Sequence, residues 1–209
     1  MEKLTVDFID WLGHASFRLR GSRTIYIDPW KIPGDMRDGD IVLVTHGHYD
    51  HLSMEDIGRI AKREATVVIP ATIERKVSWP KVVTVAPGQT VTVEGIRIEA
   101  VAAYNIDKHF HPRVEQWVGY VVDLDGIKVY HTGDTDLIDE FRTVRCDIVL
   151  LPVSGTYVMN AREAVEAVKI LQPKIAIPMH YGDIVGDKKD ALYFQESSPC
   201  EVVIKEPVG

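Results

Sequence analysis

Cysteine is nearly absent from this chain. Cys146 and Cys200 are its two, they stand in no metal-like spacing, and each adjoins a strand-like segment, so they read as buried thiols of a reducing cytosol. A basic surplus is missing too. The 24 Lys and Arg residues against 31 Asp and Glu leave a formal net charge of −7, which argues against a general nucleic-acid binder, because phosphate contacts need clustered cations. Long apolar runs are also lacking, and the longest, such as "DIVLLPV", fall far short of the ~20 residues needed to cross a bilayer. The first residues, "MEKLTVDFIDW", carry acids where a signal peptide would place basic residues and then an apolar stretch. No linker of Gly, Ser and Pro, no charge block, no low-complexity tract and no fixed-period repeat divides the chain. The expectation is a single domain over residues 1–209, cytoplasmic, with no membrane and no nucleic acid among its partners.

Histidine is present in an uneven way. Of eight in the chain, three fall in "THGHYDHL", where His46, His48, Asp50 and His51 stand within six positions. Imidazole and carboxylate side chains so closely spaced on a tight turn are a metal-ligand pattern. Alternate residues 46 and 48 address one cation, and neighbours 50 and 51 a second.

Strand signals dominate the first half: "LTVDFI", "SFRLR" and "TIYID", then "IVLVTH", a continuous apolar run suited to a strand buried on both faces. A helix is predicted from Ser53, with Asp56 at the capping-box position and Ile57, Ile60 and Ala61 on one face. "TVVIP", "KVVTV", and a hairpin of "TVTVEG" and "IRIEAVAAY" follow, and "WVGYVVDLDGIKVYH" forms a second hairpin at Asp125-Gly126. "DIVLLP" and "KIAIPMHY" read as buried strands and "CEVVIK" as the last one. "NAREAVEAVKIL" is a helix capped by Asn160, with Ala164, Val165, Val168 and Leu171 on one stripe. Two sheets packed face to face with helices outside are the expected layering, an α+β, four-layer αββα sandwich.

Several of these strands stop at a candidate ligand. "IVLVTH" ends in His46, "GIKVYHTGD" in His131 and Asp134, "KIAIPMH" in His180, and "IRIEAVAAY" leads through Tyr104 to His109 and His111. If such strands lie side by side, their ends form one rim on which distant side chains converge. Zinc suits that donor set, and two zinc ions ~3.5–4 Å apart lower the pKa of a shared water to ~7.

"THGHYDH" resembles the His-x-His-x-Asp-His signature of the metallo-β-lactamase-fold hydrolases, "HTGDTD" their aspartate motif and "IPMHY" their last histidine motif. "WLGHASF", "IYIDPW" and "LPVSGTYVM" are similar to the branch of small stand-alone hydrolases that includes the ascorbate-phosphate lactonases, and the likeness runs from residue 11 to about 182. The resemblance implies a dinuclear zinc centre, with Mn2+ or Fe2+ as alternatives. In it, His46, His48 and a later histidine hold the first metal, Asp50, His51 and His180 the second, and Asp134 bridges both. The attacking hydroxide lies between the metals, with Asp50 orienting it or accepting its proton. Tyr104 occupies the place where the family sets its third histidine, and His111, stiffened by Pro112, is chosen over His109.

The expected function is hydrolysis of a small substrate, a lactone or a phosphate-bearing metabolite, by a chain that acts alone or as a homo-oligomer. Alternatives are a metal-binding protein of the same fold without turnover, a phosphodiesterase or nuclease, and an iron redox enzyme. That last class replaces a histidine of the first motif with an acid, and here all three stand. Around the centre, His14 either faces substrate or is structural, and His131 supports ligands or the fold. Asp28 either makes a turn or braces a ligand. Thr156 or Tyr157 approaches the site, and Lys108 and Arg113 either attract an anion or are solvated.

Overall fold

The computed structural model describes residues 4–208. The run "IVLVTH", predicted to be buried on both faces, shows why the chain is layered: β4 (Gly39–Leu43) sends Ile41 and Leu43 into one apolar cluster and Val42 into another. β3 (Thr24–Ile27) divides the same way, with Ile25 and Ile27 on one side and Tyr26 on the other. Each fully buried side chain of this kind contributes about 1.5–3 kcal/mol, so a one-residue slip in register would cost several at once.

These strands belong to a six-stranded sheet in chain order, with β1 (Ile9–Gly13) and β2 (Ser16–Arg20) before them and β5 (Ala61–Pro70) and β6 (Val82–Val85) after. The second sheet has seven strands: β7 (Thr90–Val93), β8 (Ile96–Ala102), β9 (Val118–Leu124), β10 (Ile127–His131), β11 (Ile148–Pro152), β12 (Ile175–Met179) and β13 (Glu201–Val202), ordered β13-β12-β11-β10-β9-β8-β7. One cluster joins Phe17, Ile41 and Leu43 of the first sheet to Ile98, Tyr120 and Val122 of the second. It continues to α2 (Ala161–Leu171) and α3 (Lys188–Ser197) through Ala164, Val168 and Phe194. The other cluster lies under α1 (Met54–Ile60), where Ile57 and Ile60 meet Tyr26, Val42 and Val67. Helix, sheet, sheet and helix follow one another, the αββα sandwich expected from the sequence.

Several boundaries differ from those expectations. The first strand is Ile9–Gly13 rather than "LTVDFI", since residues 7 and 8 make a turn. "CEVVIK" pairs only over Glu201–Val202. α1 stops at Ile60, with Ala61 passing straight into β5, and Asp56 makes no capping box: its carboxylate accepts instead from Lys31 N and Ile32 N at 3.0 and 3.1 Å. Helix α3 was not anticipated. It buries only Ala191 and Phe194, too few apolar positions for a 3.6-residue period to stand out.

Strand direction builds the rim. β1 is antiparallel to β2 and β2 to β3, so β1 runs with β3, and β4, β5 and β6 are parallel to β3 in turn. In the second sheet β8 is antiparallel to β9 and β9 to β10, so β8 runs with β10 and its parallel neighbours β11 and β12. His14, Asp28, His46, His111, Asp134, Ser154 and His180 therefore all follow C-terminal ends of co-directional strands, the place where layered sheets collect functional groups. Cross-sheet bonds lock the two rims together: Val118 N donates to Thr45 O at 3.2 Å and His180 N to His14 O at 2.9 Å.

Candidate metal centre

His46, His48 and His111 form one donor group, each offering an atom within 4.8 Å of the others. His46 Nε2 and His48 Nδ1 stand 3.0 Å apart. The Thr45 hydroxyl donates to Asp28 Oδ2 at 2.6 Å and lies 2.9 Å from His46 Nδ1, so it accepts that ring's proton and leaves Nε2 with its lone pair turned inward. Asn105 Oδ1, an acceptor only, faces His111 Nδ1 at 3.1 Å and has the same effect on that ring. The buried indole of Trp117 packs against all three imidazoles, with ring centroids at 4.9, 4.9 and 5.7 Å. His109, the alternative to His111, is exposed. Tyr104 turns away, its hydroxyl donating to Glu140 at 2.9 Å.

Asp50, His51 and His180 form a second group, and His14 completes it. His51 Nδ1 donates to Asp28 Oδ2 at 2.8 Å, and His180 Nδ1 lies 3.1 Å from Ser154 Oγ. His14 Nε2 approaches Asp50 Oδ2 to 3.1 Å, its ring 4.0 Å from that of His180. Three residues here hold left-handed backbone that side chains with a Cβ disfavour: His14 (φ 48°), Asp28 (φ 47°) and His180 (φ 60°). Each such residue costs roughly 1–3 kcal/mol and persists only where the surroundings over-determine it, which is a mark of functional positions.

Asp134 lies between the groups. Its Oδ2 is 3.0 Å from His180 Nε2, 3.2 Å from His111 Nε2 and 3.4 Å from His51 Nε2. The turn that delivers it needs glycine at 133, where φ is +66° and a Cβ would lie 2.9 Å from Val118 O. One oxygen facing three imidazoles is a poor hydrogen-bond arrangement. His51 Nε2, His111 Nε2, Asp134 Oδ1 and His14 Nδ1 are buried without a hydrogen-bond partner. Orphaned polar atoms cost about 1–3 kcal/mol each, and a cluster of them around inward lone pairs fits cations.

Electrostatics agree with that fit. Burial, then the charge of His51, holds His46 well below its ordinary pKa, and burial followed by His111 brings His48 down to about 4, so both rings are neutral and able to ligate. Burial works to raise Asp50 and Asp134, yet both move down. The His14 hydrogen bond and the His51 charge take Asp50 to about 2, and His180 and His51 hold Asp134 well below the carboxylate range. Burial likewise works to lower His51, but Asp134 and Asp28 outweigh it and raise its pKa well above the usual value. At His51, protons and a cation compete for one position.

Other residues resolve as follows. His131 knits the sheets, with Nε2 donating to Ala15 O at 2.9 Å and Nδ1 accepting from Gly133 N at 3.1 Å, so its role is structural. Asp28 braces ring nitrogens, and Tyr157 rather than exposed Thr156 reaches the site. Lys108 is bound to Asp136 at 2.7 Å and Arg113 to Glu140 at 3.0 Å, so both are engaged by carboxylates. Asn105, Ser154, Thr45 and Trp117 were not singled out from sequence; each acts through a neighbour in space, and only Thr45, beside the histidine motif, had a local signal. Above Asp50, His111 and Asp134 opens a pocket of about 250 Å³ walled by Tyr49, Phe110, Tyr157 and Ile184. A larger cleft of about 450 Å³, lined among others by Tyr104, Arg113 and Trp117, carries none of the imidazoles.

Comparison with known proteins places this arrangement. The family model described as a beta-lactamase superfamily domain matches residues 8–180. A metal-dependent hydrolase of the UPF0173 group from Thermoplasma volcanium is 37% identical over 201 residues, covering 90% of this chain and 89% of its own, and one from Pyrococcus furiosus is 35% identical, covering 95% and 96%. Among solved structures, a protein of Parabacteroides distasonis described as a candidate metal-dependent hydrolase superposes with a TM-score of 0.80 at 31% identity, over 95% of this chain and 92% of that one. Igni18, a metallo hydrolase of Ignicoccus hospitalis, shares the fold with a TM-score of 0.78 at 24% identity, over 96% and 95% of the chains. The chain belongs to the metallo-β-lactamase superfamily, among its metal-dependent hydrolases.

Proposed function

We propose that this hydrolase binds two divalent cations, zinc in both positions, and opens a small-molecule substrate at an electrophilic carbonyl, a lactone in the first place. His46, His48 and His111 hold one cation. Asp50, His51 and His180, joined by His14, hold the other, and Asp134 reaches both. The observation that carries this reading is Asp134 Oδ2 within 3.4 Å of imidazole nitrogens from both groups. Donors of imidazole and carboxylate with no thiolate suit zinc, and Mn2+ or Fe2+ is accepted by the same set. Bound there, the cations supply Lewis acidity and bring the pKa of a water to about 7.

The chain's own residues do the positioning. Asp28, Thr45, Asn105 and Ser154 fix ring orientation and tautomer. With its pKa near 2, Asp50 is too weak a base to store a proton at neutral pH, so its part is to orient the water by accepting its hydrogen bond. The water oxygen bonds to the carbonyl carbon and the ring C–O bond breaks; of the water's two protons one passes to the departing ring oxygen, which leaves as a hydroxyl, and the other goes to solvent as the new carboxyl group ionises. A pocket of about 250 Å³ suits a small molecule rather than a nucleic acid. No described helix is long and apolar enough to cross a membrane, and the two free cysteines fit a reducing cytoplasm.

The test is metal analysis of protein purified without added metal, with turnover assayed on lactone, phosphodiester and β-lactam substrates. We expect two equivalents of zinc per chain and lactone hydrolysis. His48→Ala should lose about one equivalent and Asp134→Asn both, each with turnover abolished; full activity in both variants refutes the proposal. Metal binding without turnover of any substrate would indicate a binding protein. Salt-sensitive RNA binding with phosphodiester cleavage would indicate a nuclease.

A further inference from the structure

The walls of the pocket differ from its floor. Its floor is the donor set; its sides are Tyr49, Phe110, Tyr157 and Ile184. Tyr49 and Phe110 are exposed at 69% and 47%, and both stand at the mouth of the site. Their placement is built rather than incidental. Tyr49 sits between His48 and Asp50 in the chain and meets Trp30 edge-on at 6.0 Å. Phe110 adjoins His111 and stands edge-on to Tyr157 with ring centroids 4.6 Å apart. Asn105 ties the two halves, accepting from His111 Nδ1 with its oxygen while its amide donates to Tyr157 O at 2.9 Å.

No lysine or arginine lines the pocket. The basic residues around it are held elsewhere: Lys108 by Asp136 and Asp107, Arg113 by Glu140, and Lys31 by Asp183 at 2.8 Å. Lys76 donates to Gly47 O at 3.2 Å. Sites that select a phosphate or carboxylate present bidentate arginine, lysine or a helix N-terminus to it. Beyond the cations proposed at its floor, which the carbonyl would occupy, an anionic tail here would meet only aromatic faces and Asp50.

We propose that this pocket selects an uncharged substrate carrying a compact apolar substituent, aryl or branched alkyl, beside the carbonyl, and discriminates against phosphate-bearing or carboxylate-bearing substrates. The assignment rests on the hydrolase reading above and narrows it. Tyr157 and Phe110, packed on each other, form the wall against which the substituent lies, and Tyr49 and Ile184 flank the mouth.

The experiment compares γ-lactones bearing a phenyl, an isobutyl, a carboxymethyl or a phosphomethyl group on the ring, assayed with zinc-loaded protein. Expected is a kcat/KM for the phenyl and isobutyl lactones at least about 10-fold above either anionic one, the scale at which apolar pockets discriminate. Phe110→Ala and Tyr157→Ala should each reduce that ratio about 10-fold while bound zinc stays unchanged, which separates pocket from metal effects. A preference for the anionic lactones, or an unaltered ratio in both variants, overturns the proposal. Should no lactone turn over, the lactone reading fails, and the pocket is judged by binding of 2-phenyltetrahydrofuran, which has no carbonyl to attack. Calorimetric binding weakened about 10-fold by Tyr157→Ala upholds it, and no binding, or binding unaffected by the variant, overturns it.

Discussion

The Asp28 carboxylate, fully buried, accepts three hydrogen bonds from the residues that carry the centre: Thr45 N at 2.7 Å, Thr45 Oγ1 at 2.6 Å and His51 Nδ1 at 2.8 Å. Through Thr45 it also sets the tautomer of His46, so one side chain orients a donor in each group. Asp28→Asn keeps the volume but turns an NH2 toward one of those donors, and two N–H or O–H groups then face each other. The expected result is a 10–100-fold loss of zinc affinity, measured by competition with a chromophoric chelator, with circular dichroism unchanged. Wild-type affinity would remove Asp28 from this role. The reason Asp28 could not be ranked from sequence is physical: "YIDPW" fits a turn as well as a brace, and the choice depends on what packs against it. The histidine turn was legible because its donors are contiguous. The stiffness that Pro112 lends its neighbour favours His111 over His109, and the structure buries the one and exposes the other. Nothing near His14 in sequence announces Asp50 and His180, so its place becomes legible only in the fold.

Among the elements, those whose caps and stripes are both written in the chain were the ones found in place. α2 begins at Asn160, whose side chain accepts from Arg162 N and Glu163 N at 2.9 and 3.0 Å while Glu163 returns a bond to Asn160 N at 2.8 Å. Asn160→Ala removes that acceptor from the first turn. It should cost about 1 kcal/mol, read as a lower urea midpoint with an unchanged slope; an unshifted midpoint would mean that water or a neighbour replaces the cap. α3 has an equal capping box at Asp187 and Asp190 but little apolar stripe, so its start was written and its helix was not. The strands buried on both faces were clear as runs, but their ends were not. β1 begins five residues later than the alternation suggests because the pairing of Ile9 with Leu19, not local pattern, decides where it starts. Tertiary pairing overrides propensity at such edges.

At the scale of the whole molecule the centre is also a clamp between sheets. Strand ends of the first sheet supply His14, Asp28 and the 46–51 turn, and those of the second supply His111, Asp134 and His180. Sequence showed that strands end at candidate ligands; it could not show that β8, β10, β11 and β12 run the same way, because direction is set by pairings between distant segments. A cation held by both sheets binds the folded chain and not the unfolded one, so it stabilises by RT ln(1 + [L]/Kd), about 2.7 kcal/mol at a hundredfold excess over Kd. For a chain of this size 1 kcal/mol moves Tm by about 2–4 °C, so chelation of two such cations should lower Tm by roughly 10–20 °C, and zinc returned in excess should restore it. Removing the cations leaves His51, His111 and His180 crowded on one Asp134 oxygen, a cost already contained in Kd. Asp134→Asn, which takes away the shared ligand, should abolish the response to zinc, whereas His131→Gln, at a position that touches no donor group, should lower Tm yet keep it. An equal melting temperature with and without chelator, in protein shown by elemental analysis to have lost its zinc, would mean that the sheets hold together without the centre.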